Sequence, residues 1–217
     1  MFGQSAFDAE VLVPPECNVV FVADLFEEDY AGGAEKTTQA IIESAPKDIN
    51  IFKVHARNVT QKTLESGYNK FWIFGNFSTL NPNLFPMIVQ NLKYSVLEYD
   101  YKFCKYRSIE KHEAETGSPC DCHESMHGKF VSAFMHGANT VFWMSEAQLK
   151  RYSDRYPFLE EDDGSRQIVL SSILSQETFK FINELKEENK EKGLFIDLEV
   201  MSTESERWNL FQDRIKD

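Results

Sequence analysis

Residues 104–127 read "CKYRSIEKHEAETGSPCDCHESMH" and hold three of the protein's four cysteines and three of its five histidines. Thiolate and imidazole are the donors that zinc prefers in a closed tetrahedral site. Cys104, His112, Cys120 and Cys122 form the expected ligand set, with His123 or His127 as substitutes. The segment is otherwise polar, so a bound ion would supply folding energy that its side chains do not. The spacing is not that of a standard zinc finger, and C-x-C is tighter than the common C-x2-C. Three readings stay open: a structural metal site, a transient Cys120–Cys122 disulfide, and a reduced polar loop with incidental cysteines. Four cysteines in a chain of this size do not make a disulfide scaffold, and clustered cysteines in a cytosolic chain point to metal or redox chemistry. With four protein ligands there is no open position, so any metal here is expected to be structural and not catalytic.

A second stretch with chemical content is "VVFVADLFEEDYAGGAEKTTQAII", residues 19–42. An apolar run ends in acids, then Gly32-Gly33, then a helix-like segment. Glycine lets a ligand approach the backbone, and a helix start offers unpaired N–H groups and a positive dipole end to an anion. The fingerprints G-x-G-x-x-G and G-x-x-x-x-G-K-[ST] are both absent. The pair is therefore either a ligand loop or a simple turn, and Glu35 either serves the ligand or complements the helix dipole. Further polar candidates stand at predicted strand ends: Asp24, Asn76 and Ser78, then Glu98 and Asp100 with Arg107 close behind. Asp100 is either a functional acid or an acid paired with Arg107. His55 and His136 read as ordinary core or surface histidines.

The elements that must position these residues alternate. Strands are expected at 18–23, 49–55, 70–76, 93–100, 139–145, 166–172 and 193–201. Helices are expected at 33–45, 81–92 (after a turn), 124–138, 146–157 and 175–192, the last capped by Ser175. Residues 101–123 read as irregular and 160–165 as a solvated loop. Gly128 lowers the propensity of its helix by about 1 kcal/mol relative to Ala. Trp72, Trp143 and most phenylalanines are expected in the core. Strands alternating with helices predict an α/β fold: a single Rossmann-like, doubly wound, mainly parallel sheet over 18–201. It carries a Cys/His-rich insertion at 101–127, a polar lead-in at 1–17 and a polar tail at 202–217.

The first strand, the acidic loop and "GGAEKTTQAI" together resemble the start of retaining glycosyltransferases of the GT-B fold, family 4-like. "TVFWMSEAQ" (140–148) and "IVLSSILSQETF" (168–179) look similar to the last strands of that family's N-terminal domain. The resemblance spans about 18–185, and only the glycine loop is distinctive. It implies one half of a GT-B architecture: the acceptor-side domain of an enzyme that transfers a hexosyl group from a nucleotide-sugar to a sugar or glycan acceptor. It places Gly32 and Gly33 near the donor diphosphate. It makes Asp100 the catalytic candidate, able to stabilise charge developing on the donor sugar. Asp24, Asn76, Ser78, Glu35 and Arg107 become substrate-binding candidates, with Phe77 able to stack on a sugar face. The family commonly has His where Glu98 and Asp100 stand. The family's second Rossmann domain, with its paired glutamates, has no counterpart here, and the spacing of Glu35 and Glu43 on the first helix is a coincidence. A second domain or a homodimer is expected to complete the cleft. The alternative is a non-catalytic, single-domain ligand-binding module with a structural zinc site.

Composition narrows the partners. The net charge is −12, and no local basic patch offsets it, so no nucleic acid partner is expected. No apolar run approaches the roughly 20 residues of a membrane-spanning helix, and the N-terminus lacks the basic start of a secretory signal. A cytoplasmic location is the expectation.

Overall fold

Val19–Ala23 forms the first strand, β1, and Val20 to Ala23 are all buried. A strand shielded on both faces calls for a parallel sheet with helices on either side. The computed structural model, which describes residues 10–161, 165–171, 173 and 176–191, contains that sheet. After β1 come α1 (Gly33–Glu43), β2 (Ile51–His55), α2 (Gln61–Ser66), β3 (Phe71–Phe74), α3 (Phe85–Asn91) and β4 (Lys93–Glu98). Then follow α4 (Ile109–Thr116), α5 (Met126–Gly137), β5 (Thr140–Trp143), α6 (Glu146–Ser153), α7 (Phe158–Glu161), β6 (Gln167–Val169) and α8 (Gln176–Glu191). The six strands are all parallel, in the order β2-β1-β3-β4-β5-β6. This is the Rossmann-like α/β fold expected from the alternation of elements.

The order reverses between β1 and β3. From β1 the chain moves outward to β2, then crosses back to start β3 on the other side. Ligands in such sheets sit beyond the carboxyl ends of the strands at this point of reversal. Side chains alternate between the faces. Val20, Val22, Trp72, Phe74, Tyr94 and Trp143 share one face with Leu64 of α2, Ile88 of α3, Phe134 of α5 and Tyr152 of α6. Phe21, Ala23 and Leu97 point to the other face, where Ile41 and Ile42 of α1 pack.

Several elements differ from expectation. Residues 101–123 are not wholly irregular, because α4 lies inside them. Ser108 caps it by accepting from Lys111 N, and Gly117 ends it with φ of 69°. Its buried side chains are Ile109 and His112, so it shows no apolar periodicity to read. The helix α2 is also new. Thr60 and Thr63 cap each other reciprocally, with backbone-to-hydroxyl bonds of 3.0 and 3.2 Å. The lead-in is not simply polar: Val13 and Cys17 join the core, and Val13 N donates to Ser66 Oγ at 3.0 Å. The expected seventh strand, the Ser175 cap and much of the 160–165 loop lie outside the described residues.

Contacts divide the chain into Met1–Ser175 and Gln176–Asp217, where the sequence suggests one domain over 18–201. In the second unit, α8 exposes Phe179, Phe181, Ile182 and Leu185. No helix among the described residues is long and apolar enough to cross a membrane.

Phe134 joins much of the larger core. Its ring lies 4.8–5.1 Å from those of Phe74, Phe77, Phe85 and Tyr94, and Tyr94 Oη donates to its carbonyl at 2.7 Å. Phe134→Ala is expected to lower the unfolding free energy by about 3–5 kcal/mol, measured by urea denaturation.

Candidate functional site

Three strand ends supply the polar residues of the rim. Asp24 follows β1, Asn76 and Ser78 follow β3, and Asp100 follows β4. Each stands where the backbone leaves the sheet and side chains are freed from packing. The Asp24 carboxylate accepts four bonds from the turn after β3. Ser78 N and Thr79 N each reach it at 2.9 Å and the Thr79 hydroxyl at 2.7 Å, and the Ser78 hydroxyl is the fourth donor. Burial opposes the charge, but these four bonds outweigh it and hold the Asp24 carboxyl below its usual range.

Arg107 ties the strand ends together. Its Nε donates to Asp100 Oδ2 at 2.7 Å, and its Nη2 to Asn76 Oδ1 at 2.8 Å and also to Asp100. Its Nη1 lies 3.5 Å from Asp24 Oδ2. Behind this node, the Lys102 ammonium lies 3.1 Å from Glu98 Oε1 and 3.4 Å from Asp100 Oδ1. Glu98 and Lys102 are both buried, and Glu98 Oε2 has no hydrogen-bond partner among the described residues. Burial raises the Glu98 carboxyl to about 7; attraction to Lys102 opposes this and repulsion from Asp100 adds to it.

The glycine pair opens α1 on the same rim, because α1 follows β1. Gly32 is the N-cap and makes no side-chain cap bond. A Cβ placed on Gly33 would meet nothing within 4 Å, so the backbone there is approachable. Glu35 is buried beside Gly32. Thr38 of α1 is bonded to the Tyr99 hydroxyl at 2.6 Å, which fixes α1 against the segment after β4.

The sequence-predicted metal set comes together. The ligating atoms of Cys104, His112, Cys120 and Cys122 all lie within 4.8 Å of one another. Tetrahedral zinc bonds of about 2.0–2.3 Å place donor atoms about 3.8 Å apart. His112 Nδ1 is already 3.7 Å from Cys104 Sγ and 3.3 Å from Cys122 Sγ. The group can therefore hold a metal ion with only a small closure of the cluster. In the metal-free protein, burial pushes the Cys120 thiol up to about 12, so an incoming ion must displace protons. His123 and His127 are not in the cluster. His123 packs edge-on against Phe103 and Tyr156, and His127 Nε2 donates to Lys102 O at 2.8 Å. His55 contacts the backbone of Asp24 and the ring of Phe26, and His136 packs against Phe158.

The metal cluster and the rim share one loop. Cys104 N donates to Tyr101 O, Arg107 N to Cys104 O, and Tyr101 N to Arg107 O, at 2.8, 2.9 and 3.3 Å. Arg107 holds a left-handed backbone, φ 58°, which costs a non-glycine residue of order 1–3 kcal/mol unless its surroundings impose it. Cys104 thus sits at the centre of the loop that aims Arg107. Sequence reasoning passed over Lys102, Thr79 and Gln148, whose side chain donates to Asp100 O at 3.1 Å. Their roles depend on strand ends that only the fold juxtaposes.

No protein-family model matches the chain, and no curated protein matches it.

Gly128, which disfavours its helix by propensity, is required by this geometry. A Cβ there would collide with the carbonyl oxygens of Cys122 and His123, the latter at 2.5 Å. Gly128→Ala is expected to weaken metal retention at least tenfold in a chelator competition assay. A second test concerns pH. The folded carboxyl of Glu98 binds its proton more tightly than an ordinary carboxyl near 4.5. Its contribution to stability is therefore full below about pH 4.5 and lost as pH rises through 7. The stability of the parent relative to Glu98→Gln should fall between pH 5 and 8, read as the difference between the two denaturation curves at each pH.

Proposed function

We propose that the chain is the acceptor-side domain of a sugar-nucleotide-dependent, retaining glycosyltransferase of the GT-B type, braced by a structural zinc ion. The observation that carries this reading is the open Gly33 at the head of α1, on the same rim as Asp24, Asn76, Ser78, Asp100 and Arg107. Amides at a helix start suit a diphosphate, and the clustered carboxylates and amide beside them suit sugar hydroxyls. In this reading Gly32 and Gly33 contact the donor. Arg107 sets the position of Asp100, which faces the charge that develops on the transferred hexosyl group. Asp24 acts through the Ser78–Thr79 turn that it anchors, and Glu35 supports the glycine loop. A second Rossmann domain, or a second copy of the chain, closes the cleft and excludes water. The working location is the cytoplasm, where nucleotide-sugars and reduced thiols coexist.

The reading of a non-catalytic ligand-binding module has one observation in its favour. Asp100 is already paired with Arg107 and Lys102, which lowers its freedom to act in chemistry. Hexosyl transfer by the enzyme with both cleft walls present, and its loss of at least 100-fold in Asp100→Asn, decides between the two.

Zinc is the ion of choice because three thiolates and one imidazole form a complete soft tetrahedral set. It holds the loop and takes no part in the reaction. Metal analysis of protein purified without added metal should give about one zinc per chain. Cys104→Ser should release it and lower the melting temperature by several degrees; zinc-free protein whose thiols titrate fully would end the assignment.

The donor site has a direct test. Backbone amide resonances of Gly32 and Gly33 should shift on titration with UDP-, GDP- or ADP-hexoses. Gly33→Ala should keep or raise stability by up to about 1 kcal/mol, since Ala is the better helix former, yet weaken that binding. Silence of both amides toward all three donors would overturn the reading.

A further inference from the structure

Beside the rim node lies a cavity of about 280 Å³. Its lining includes the apolar Phe77, Phe85 and Val131 and the cationic Lys102, Lys105 and Arg107. No carboxylate lines it, and Cys104 of the metal cluster is the one sulfur in its wall, although the protein carries a net charge of −12. The carboxylates that pair with Lys102 and Arg107 are not part of its wall. Lys105 makes no ion pair among the described residues, and its ammonium rests 4.8 Å from the centre of its neighbour Tyr106's ring. Arg107 uses Nε and Nη2 on Asp100 and Asn76, while Nη1 has only the 3.5 Å approach to Asp24. That leaves donor capacity on a guanidinium held rigidly by its other bonds. Lys102 lies 5.1 Å from the centre of the Phe77 ring, so cation and aromatic surface are adjacent.

We propose that this cavity binds an anion carried on a single ring: a phosphate or carboxylate facing Lys105 and Arg107, with the ring against Phe77 and Phe85. The size argues for one ring, because the volume falls at the lower edge of the roughly 300–1,000 Å³ usual for ligand pockets. Charge argues for an anion: cations beside apolar surface act in a medium that screens them less than water does. The inference deepens the glycosyltransferase reading by naming the acceptor as a negatively charged sugar, and it rests on that reading for the word acceptor. The binding itself needs no donor.

Titration calorimetry and backbone-amide NMR on the zinc-loaded chain, at constant ionic strength, provide the test. Glucose 6-phosphate, phenyl phosphate, inorganic phosphate and glucose are the probes. Glucose 6-phosphate is expected to bind saturably and shift the amides around Phe77, Lys105 and Val131, with glucose and inorganic phosphate each at least tenfold weaker. Lys105→Glu, a surface change, should weaken binding at least tenfold. Lys111→Glu makes the same charge change on exposed α4 away from the cavity and should leave binding unchanged. Preference for phenyl phosphate would keep the site and assign it to aromatic anions instead of sugars. Equal binding of inorganic phosphate would reduce it to a simple ion site and overturn the proposal. Equal effects of the two lysine variants, or no binding, would overturn it too. A silent cavity with Gly32 and Gly33 still responding to nucleotide-sugars would separate this failure from that of the parent reading.

Discussion

One guanidinium holds the polar rim of the sheet in place. Arg107 reaches a carboxylate after β1, an amide after β3 and a carboxylate after β4. Those three strand ends are distant in sequence and meet only because β1, β3 and β4 are neighbours in the sheet. Arg107 and Asp100 are both partly exposed, and ion pairs open to water add little to stability. The node is therefore better understood as a constraint on geometry than as a source of stability. Asp24 shows the same logic. Its four bonds from Ser78 and Thr79 close the turn after β3 onto the end of β1, beside the point where the strand order reverses.

Arg107 cannot take that position by itself. Its left-handed backbone follows from the small loop in which Cys104 accepts from Arg107 and donates to Tyr101. Cys104 also belongs to the cluster with His112, Cys120 and Cys122. The cluster and the rim are two ends of one short segment. An ion held by the cluster would stiffen the loop that carries Arg107. The glycine at 128 belongs to the same device, since it lets α5 press against the backbone of Cys122 and His123.

Much of this was legible in the sequence, for physical reasons. The five strands within residues 10–161 announce themselves as apolar, β-branched or aromatic runs, and each falls within the expected span. The metal set was legible because soft ligands are rare and cluster visibly. The helix α4 was not, although Ser108 and Gly117 bracket it, because its inward face is Ile109 and a histidine whose partners are thiols. Hydrophobic periodicity cannot register a side chain that is buried for its lone pair. Gly128 shows in the sequence only as a weak helix residue, because propensity is local and the clash it avoids is not. Pairing of Arg107 with Asp100 was one of two readings open from the sequence. Its further reach to Asn76 and Asp24 depends on strand order, which composition does not encode.

The compactness of the Cys104–Cys122 segment in sequence has a consequence for synthesis. All four donors leave the ribosome close together, before β5 and β6 have been made. Closing so short a span costs little chain entropy. A nascent chain could thus close this cluster, around an ion if one binds, and present the later strands with a corner already set, so that the last third of the sheet adds to a template and does not have to organise one.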